Sequence, residues 1–328
     1  MIPHAEQLGA IVDAVTFVSP ASARVTSLRG GEREVAVASE REAFGGLAAA
    51  LYIDRYSLLA GDAALPDVNA AAFLAALQAA NPVAQRYQDG WTVMRADANG
   101  AWLVNAAQQQ RFAMLGEIVP LANAIAPGLP VRLVPLREMV TAPGGHYVIS
   151  GRQGFDAQTG RQVRFYWNVA PAGAAPLLRE IATRLERRRI PFQAKVPVDP
   201  AGYARTDAGV LYLNDEEVEA ARDAIAATYR MVRAYLRPSV PLFARELAPG
   251  LAFAESPPTR DSFGMHRCSL VAEGLLRAEQ RGAKETQARL AVLRERLTAY
   301  GLALDRLELN PTSRYPYRLD TLIEEQPA

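Results

Sequence analysis

Lys195 stands out first, because only two of the chain's 36 basic residues, Lys195 and Lys284, are lysines and the other 34 are arginine. Arginine keeps its proton under ordinary conditions, whereas a lysine amine becomes a usable base once neighbouring positive charge or burial lowers its pKa. Lys195 lies in Pro191-Phe192-Gln193-Ala194-Lys195-Val196-Pro197. On a strand Phe192, Ala194 and Val196 share one face, and Gln193 and Lys195 the other. Shortly afterwards Tyr203, Arg205 and Asp207 alternate in the same way, aligning three polar side chains. A third group follows a proline-rich loop: Arg260, then Ser262-Phe263-Gly264-Met265-His266-Arg267-Cys268. There a capping serine and the first turn of a helix could present a hydroxyl and backbone N–H groups to an anion. Arg267 sits unfavourably for the helix dipole unless an anion or carboxylate balances it. Each group has a plainer structural alternative. Lys195 can be an edge-strand lysine that discourages aggregation, Arg205 and Asp207 a structural ion pair, and Ser262 simply a helix cap. His146, beside Gly144-Gly145, reads as a loop or strand-end residue.

Composition narrows what such a cluster could serve. The 328 residues are half hydrophobic, enough to bury a sizeable core, and 36 basic against 35 acidic residues argue against a general nucleic-acid or anionic-membrane binder. Any anion site must then be local. The single cysteine, Cys268, excludes an intramolecular disulfide framework, and three scattered histidines speak against a catalytic zinc site. The opening Met1-Ile2-Pro3-His4 lacks a basic region followed by an apolar stretch, so a cytoplasmic home is expected. The uncharged stretch 118–131 is too short for a membrane span and contains three prolines. No Walker loop, dinucleotide fingerprint or His-Glu-x-x-His appears, and neither a metal nor an organic cofactor is expected.

The elements that must position these residues read as an α+β fold, with a mainly helical N-terminal part and a mixed, largely antiparallel sheet flanked by helices. Helical periodicity covers 5–17, 40–59 and 69–80, the last with Asn69 as N-cap and Asn81-Pro82 as its stop. Near Trp91 the period changes to two, and Asn99-Gly100 between two apolar runs predicts a hairpin. The boundary is placed there, dividing residues 1–90 from an α+β part, 91–328. Further strands are expected at 131–135, 146–150, 163–169, 192–197 and 210–213. Helices are expected at 176–189, at 215–236 with Asn214 as N-cap, and over 263–299 as one long helix or two broken near Gly282.

Five short motifs occur in a fixed order: Arg164-Phe165-Tyr166-Trp167-Asn168; Ile190-Pro191-Phe192-Gln193-Ala194-Lys195; the run from Tyr203 to Tyr212; the run from Pro241 through Pro249-Gly250-Leu251 to Glu255; and Ser262 to Cys268. Over roughly residues 130–280 this succession resembles the HopA-type secreted effectors of plant pathogens. It resembles still more their bacterial relatives encoded beside peptide-modifying kinases. A weaker echo at Leu51-Tyr52 and Tyr56 brings in the N-terminal part. The resemblance implies a lyase that removes phosphate from phosphoserine or phosphothreonine in a ribosomally made precursor peptide, as in thioamitide and class V lanthipeptide biosynthesis. It also implies a kinase-like partner that phosphorylates the peptide first.

Chemistry applied to the matched motifs assigns the roles. Elimination needs a base for the Cα proton, stabilisation of charge on the adjacent amide oxygen, and cations for the leaving phosphate. Lys195 is the expected base. Arg205, Arg260 and Arg267 are the expected phosphate ligands, with Arg164 as a fourth. Tyr203, Tyr212 and His266 are candidates for proton donation or enolate stabilisation, and Asp207 would orient an arginine. The competing expectation is a noncatalytic module that binds a phosphopeptide or leader peptide for a kinase. A third is an effector acting on host proteins.

Overall fold

Alternation of side chains along the strands after residue 137 decides the architecture. A computed structural model of the chain describes all residues except 1–3, 20, 38–39, 58–68, 86, 135, 142–144, 156–160, 260, 315, 320–321 and 323–328, and only the backbone of 40–44. In chain order the first helix, α1 (His4–Asp13), leads into a three-stranded antiparallel sheet, β1 (Val15–Ser19), β2 (Ser22–Thr26) and β3 (Glu32–Ala36). The helical reading of 5–17 thus ends at Asp13, and the β-branched and aromatic run Val15-Thr16-Phe17-Val18 pairs as a strand instead. Helix α2 (Glu40–Leu51) continues into a π-helical turn, Tyr52–Tyr56, short of the expected end at 59. Helix α3 (Ala70–Ala80) starts as predicted, with Asn69 Oδ1 accepting from the N–H groups of Ala71 and Ala72.

A second antiparallel sheet holds β4 (Gln88–Ala96), β5 (Gly100–Asn105), β6 (Gln110–Met114), β7 (Ile118–Pro120) and β8 (Pro130–Leu133). The predicted hairpin joins β4 to β5, and Asp97 Oδ1 closes its turn on the N–H groups of Asn99 and Gly100.

The central sheet has seven strands: β9 (Glu138–Val140), β10 (His146–Ser150), β11 (Gln162–Trp167), β12 (Gln193–Pro197), β13 (Gly209–Asn214), β14 (Arg245–Ala248) and β15 (Leu251–Glu255). Their order is β14-β15-β11-β13-β12-β10-β9 and every pairing is antiparallel, so the expected mixture resolves into one pairing sense among the described strands. One face carries Val163, Phe165 and Trp167 of β11, Ala194 and Val196 of β12 and Leu211 and Leu213 of β13, packed under α4 (Ala174–Arg188) and α5 (Val218–Val232). Burying each such large apolar side chain is worth about 1.5–3 kcal/mol. Helix α5 is flanked by 3-10 turns at Asp215–Glu217 and Arg233–Tyr235, and Asn214 makes no capping hydrogen bond.

The other face meets α6 (Phe263–Gln280) and α7 (Thr286–Ala299), which break near Gly282 as expected. On this side Tyr166, Val210, Ala252 and Ala254 share a core with α1, α2, α6 and α7. The first two helices therefore pack with the last two, across the boundary drawn near residue 90. Glu255 ties the C-terminal segment down, its carboxylate accepting from Asn310 N–H at 2.6 Å, Ser313 Oγ at 2.6 Å and the Tyr317 hydroxyl. No described helix is long and apolar enough to cross a membrane.

Candidate functional site

Because Phe165, Trp167, Ala194, Val196, Leu211 and Leu213 face α4 and α5, the pleat sends Arg164, Tyr166, Lys195, Val210 and Tyr212 to the opposite face. Register then sets their spacing. Tyr166, Val210, Lys195 and Val148 form one cross-strand row, and Arg164, Tyr212 and Gln193 the next. His146 opens β10 opposite Pro197, two residues from Val148 and hence on the Lys195 face. The π turn, the loop between β12 and β13, and the start of α6 close the remaining sides. The result is a cleft of about 250 Å³ lined by His146, Arg164, Tyr166, Lys195 and Tyr212 together with Tyr52, Tyr56, Arg205, Asp207, Ser262 and Gly264.

Positive charge dominates it. Lys195 Nζ lies 5.7 Å and the Arg164 guanidinium carbon 5.3 Å from the centre of the Tyr212 ring, so one aromatic ring serves both cations. Arg164 Nε donates to Ser256 Oγ at 2.8 Å. Arg205 donates twice to Asp207, and through Nη2 to the Tyr52 hydroxyl at 2.8 Å. Burial opposes the charge on Arg205, but the Asp207 carboxylate overrides it and holds the guanidinium above its usual pKa. Burial, then Lys195 and Arg205, push the His146 imidazole down to about 4, so it stands neutral at physiological pH. Burial lifts Tyr166 to about 12 against the pull of Arg164, and lifts Tyr52 with help from Asp207. Both phenols are therefore donors. Among the described residues no group of three or more His, Cys, Asp or Glu is placed to hold a metal ion.

Of the residues singled out in the sequence, the structure brings Lys195, Arg164, Arg205, Asp207 and Tyr212 to this cleft. Three others are elsewhere. Tyr203 does not continue a strand; it ends the 3-10 turn Pro200–Tyr203, fully buried, with its hydroxyl donating to the Pro197 carbonyl at 3.0 Å and its ring edge-on to Phe73. Arg267 is 1% exposed and donates to the carbonyls of Leu307 and Leu309 at 2.8 and 2.9 Å and to Asn310 Oδ1. Those acceptors, with Glu255 nearby, balance a charge that the helix start disfavours. His266 packs edge-on to Tyr300, and its Nδ1 is 2.8 Å from Arg267 Nη1. Neither side chain lines the cleft. Arg260 lies outside the described residues.

Sequence reasoning missed His146, Tyr166 and Gly264. Only the position of His146 at the start of a strand, in phase with Val148, could have signalled it, and that needs the pairing with β12. Tyr52 and Tyr56 gave a fainter signal. Four residues apart, their rings stack at 5.3 Å and 13° on the π turn, a helix variant often found at functional sites.

Comparison with known proteins places the chain in a family and the fold among solved structures. Residues 140–309, just over half the chain, match the model of the HopA1 effector protein family, and this span holds every strand from β10 to β15. The fold is similar to the structure of the effector protein from Pseudomonas syringae pv. tomato strain DC3000, with a TM-score of 0.53 and 18% identity over 94% of this chain and 96% of that one. The structure of the effector protein from Pseudomonas syringae pv. syringae strain 61 aligns with a TM-score of 0.47 and 18% identity over 82% and 96%. No curated protein matches the chain. With more than half of its residues matched by the family model, the chain belongs to the HopA1 effector protein family.

Proposed function

We propose that this cleft is the active site of a phosphoserine or phosphothreonine lyase acting on a phosphorylated precursor peptide, with a kinase-like protein supplying that substrate. The observation that carries the reading is the convergence of one amine, Lys195, with two guanidinium groups, Arg164 and Arg205, around a single cleft. Arginine forks match phosphate oxygens, and an amine in the same cleft is the available base for the Cα proton of a residue held through its phosphate.

In the proposed reaction the Lys195 amine takes the Cα proton. The electron pair of that C–H bond forms the Cα–Cβ double bond, the Cβ–O bond breaks, and phosphate leaves with its electrons, giving dehydroalanine or dehydrobutyrine. Arg164 and Arg205 hold the phosphate, Asp207 fixes the plane of Arg205, and Tyr52 or Tyr212 donates to the amide oxygen as charge grows there. His146 takes the donor role first given to His266. Its neutral state in the open cleft comes from burial and nearby cations, and a dianionic phosphate offsets those cations, so the bound substrate itself favours the imidazolium that protonates the leaving group.

The test is incubation of wild-type and Lys195→Ala protein with phosphorylated precursor peptide, followed by mass spectrometry. Wild type should release inorganic phosphate and leave a peptide lighter by one water than the unphosphorylated form, and Lys195→Ala should not. A noncatalytic binding module would retain the peptide with its mass unchanged. Undiminished elimination by Lys195→Ala would remove Lys195 as the base.

A further inference from the structure

Helix α6 begins in the wall of the cleft, and its first turn has donors to spare. The His266 N–H closes on the Ser262 carbonyl at 2.9 Å and the Met265 N–H on Ser262 Oγ at 3.2 Å. The N–H groups of Phe263 and Gly264 are the ones for which an α-helix provides no intrahelical acceptor, and the dipole of an 18-residue helix adds partial positive charge at this end. A second observation is independent of the helix. Tyr56, 2% exposed, lines the same cleft, and its buried hydroxyl has no hydrogen-bond partner among the described residues. Its Cζ, the ring carbon that bears the hydroxyl, packs against Gly264, which itself lines the cleft, so the polar end of the ring lies at the cleft wall. Tyr166 stands beside the hydroxyl without meeting hydrogen-bond geometry.

Gly264 joins the two features. A Cβ at this position would fall 2.3 Å from Tyr56 Cε1 and 2.4 Å from Cζ, far inside contact distance, so only glycine lets the helix end and the phenol ring meet. A buried donor without an acceptor costs free energy, and a main-chain N–H at a helix start invites an anion. Together they form a cradle of neutral donors adjoining Arg205, which reaches it through Tyr52.

We infer that the first turn of α6 and the Tyr56 hydroxyl form a phosphate-binding subsite, in which the Gly264 N–H and the Tyr56 O–H donate to phosphate oxygens beside Arg205. The inference rests on the lyase reading only in taking phosphate as the anion. The phosphate can arrive on a peptide side chain or as the free product, and the experiment separates these.

Two ligands are titrated into the full chain: inorganic phosphate, and a peptide in which a methylene replaces the bridging oxygen of phosphoserine so that it cannot be eliminated. Amide NMR should show the Gly264 resonance of the wild type moving on saturation with each. Tyr56→Phe, which keeps the ring, should bind both ligands about 10- to 100-fold more weakly, the range for a hydrogen bond to a charged group. Gly264→Ala should do the same by displacing the ring. A response to the peptide alone would place the subsite on the substrate side chain, and a response to both would make it serve product as well. Should a variant fail to fold by thermal melting, the wild-type Gly264 shift decides by itself. An unmoved Gly264 amide with ligand bound overturns the subsite, even where phosphopeptide elimination proceeds normally. Phosphate binding at Gly264 without any elimination leaves the subsite standing and overturns the lyase reading instead.

Discussion

Asp207 grips the Arg205 guanidinium at two points, Oδ1 accepting from Nε at 2.8 Å and Oδ2 from Nη2 at 3.0 Å. The carboxylate therefore sets the plane in which the fork faces the cleft. Lysine cannot reproduce that fork, so Arg205→Lys should lower kcat/KM for phosphopeptide elimination by about 100-fold, and Asp207→Asn by about 10-fold. Steady-state phosphate release measures both. Unchanged rates in the two variants would take Arg205 out of the phosphate site.

His146 should change its protonation when an anion arrives. Its pKa in the open cleft is about 4, held down by burial, Lys195 and Arg205 in that order. A bound phosphate opposes the two cations, so the pKa rises and binding takes up a proton at pH values between the free and bound pKa. Proton NMR of the ring, titrated with and without the methylene-bridged peptide, reads this directly. His146→Gln should lower kcat by about 100-fold with little change in KM, as expected for a proton donor. A ring that titrates identically with ligand bound would exclude that role.

Arg267 should behave as a structural residue. Its guanidinium spans three acceptors on the 307–310 segment, and burial lowers its pKa only to about 10, so it stays charged at neutral pH. Arg267→Lys leaves buried carbonyls unsatisfied at a cost of about 3 kcal/mol and should lower Tm by roughly 5 °C or more. Phosphopeptide affinity of the folded variant should match wild type. The converse pattern, normal melting with lost affinity, would return Arg267 to the substrate site.

Acid should loosen the same corner of the fold. His266 is 9% exposed and its pKa is lowered to about 4 by burial and then by Arg267, which lets a neutral Nδ1 accept from Arg267 Nη1. The unfolded chain takes up this proton near pH 6.5 and the folded chain does not until about 4. Stability is thus fully present above pH 6.5 and falls as pH drops towards 4. Urea unfolding between pH 7 and 4 should show the loss, and His266→Gln should flatten it. An equal slope in the variant would assign the acid lability to other groups.

The helix caps and the two-residue period were legible because they are local. Asn69 and Ser262 accept from N–H groups two or three residues away. The hairpin at Asn99-Gly100 closes through Asp97, and α6 and α7 part beside Gly282. The strand at the start of the chain was less legible, since 15–19 extends the apolar pattern of α1 and becomes a strand only through its pairing with β2.

By itself the sequence determined which side of the central sheet would be polar: alternation along β11, β12 and β13 commits Arg164, Lys195 and Tyr212 to one face once their neighbours are apolar. Tertiary structure alone decided which of the remaining polar residues join them. Arg205 and Arg267 look equally suited to phosphate in the chain, yet one meets Asp207 at the cleft while the other is taken up by carbonyls some 40 residues away. Of the two histidines, His146 lines the cleft while His266 packs beside Arg267. A polar side chain goes where its hydrogen bonds can be satisfied, and the acceptors that settle this are brought near only by packing between distant segments.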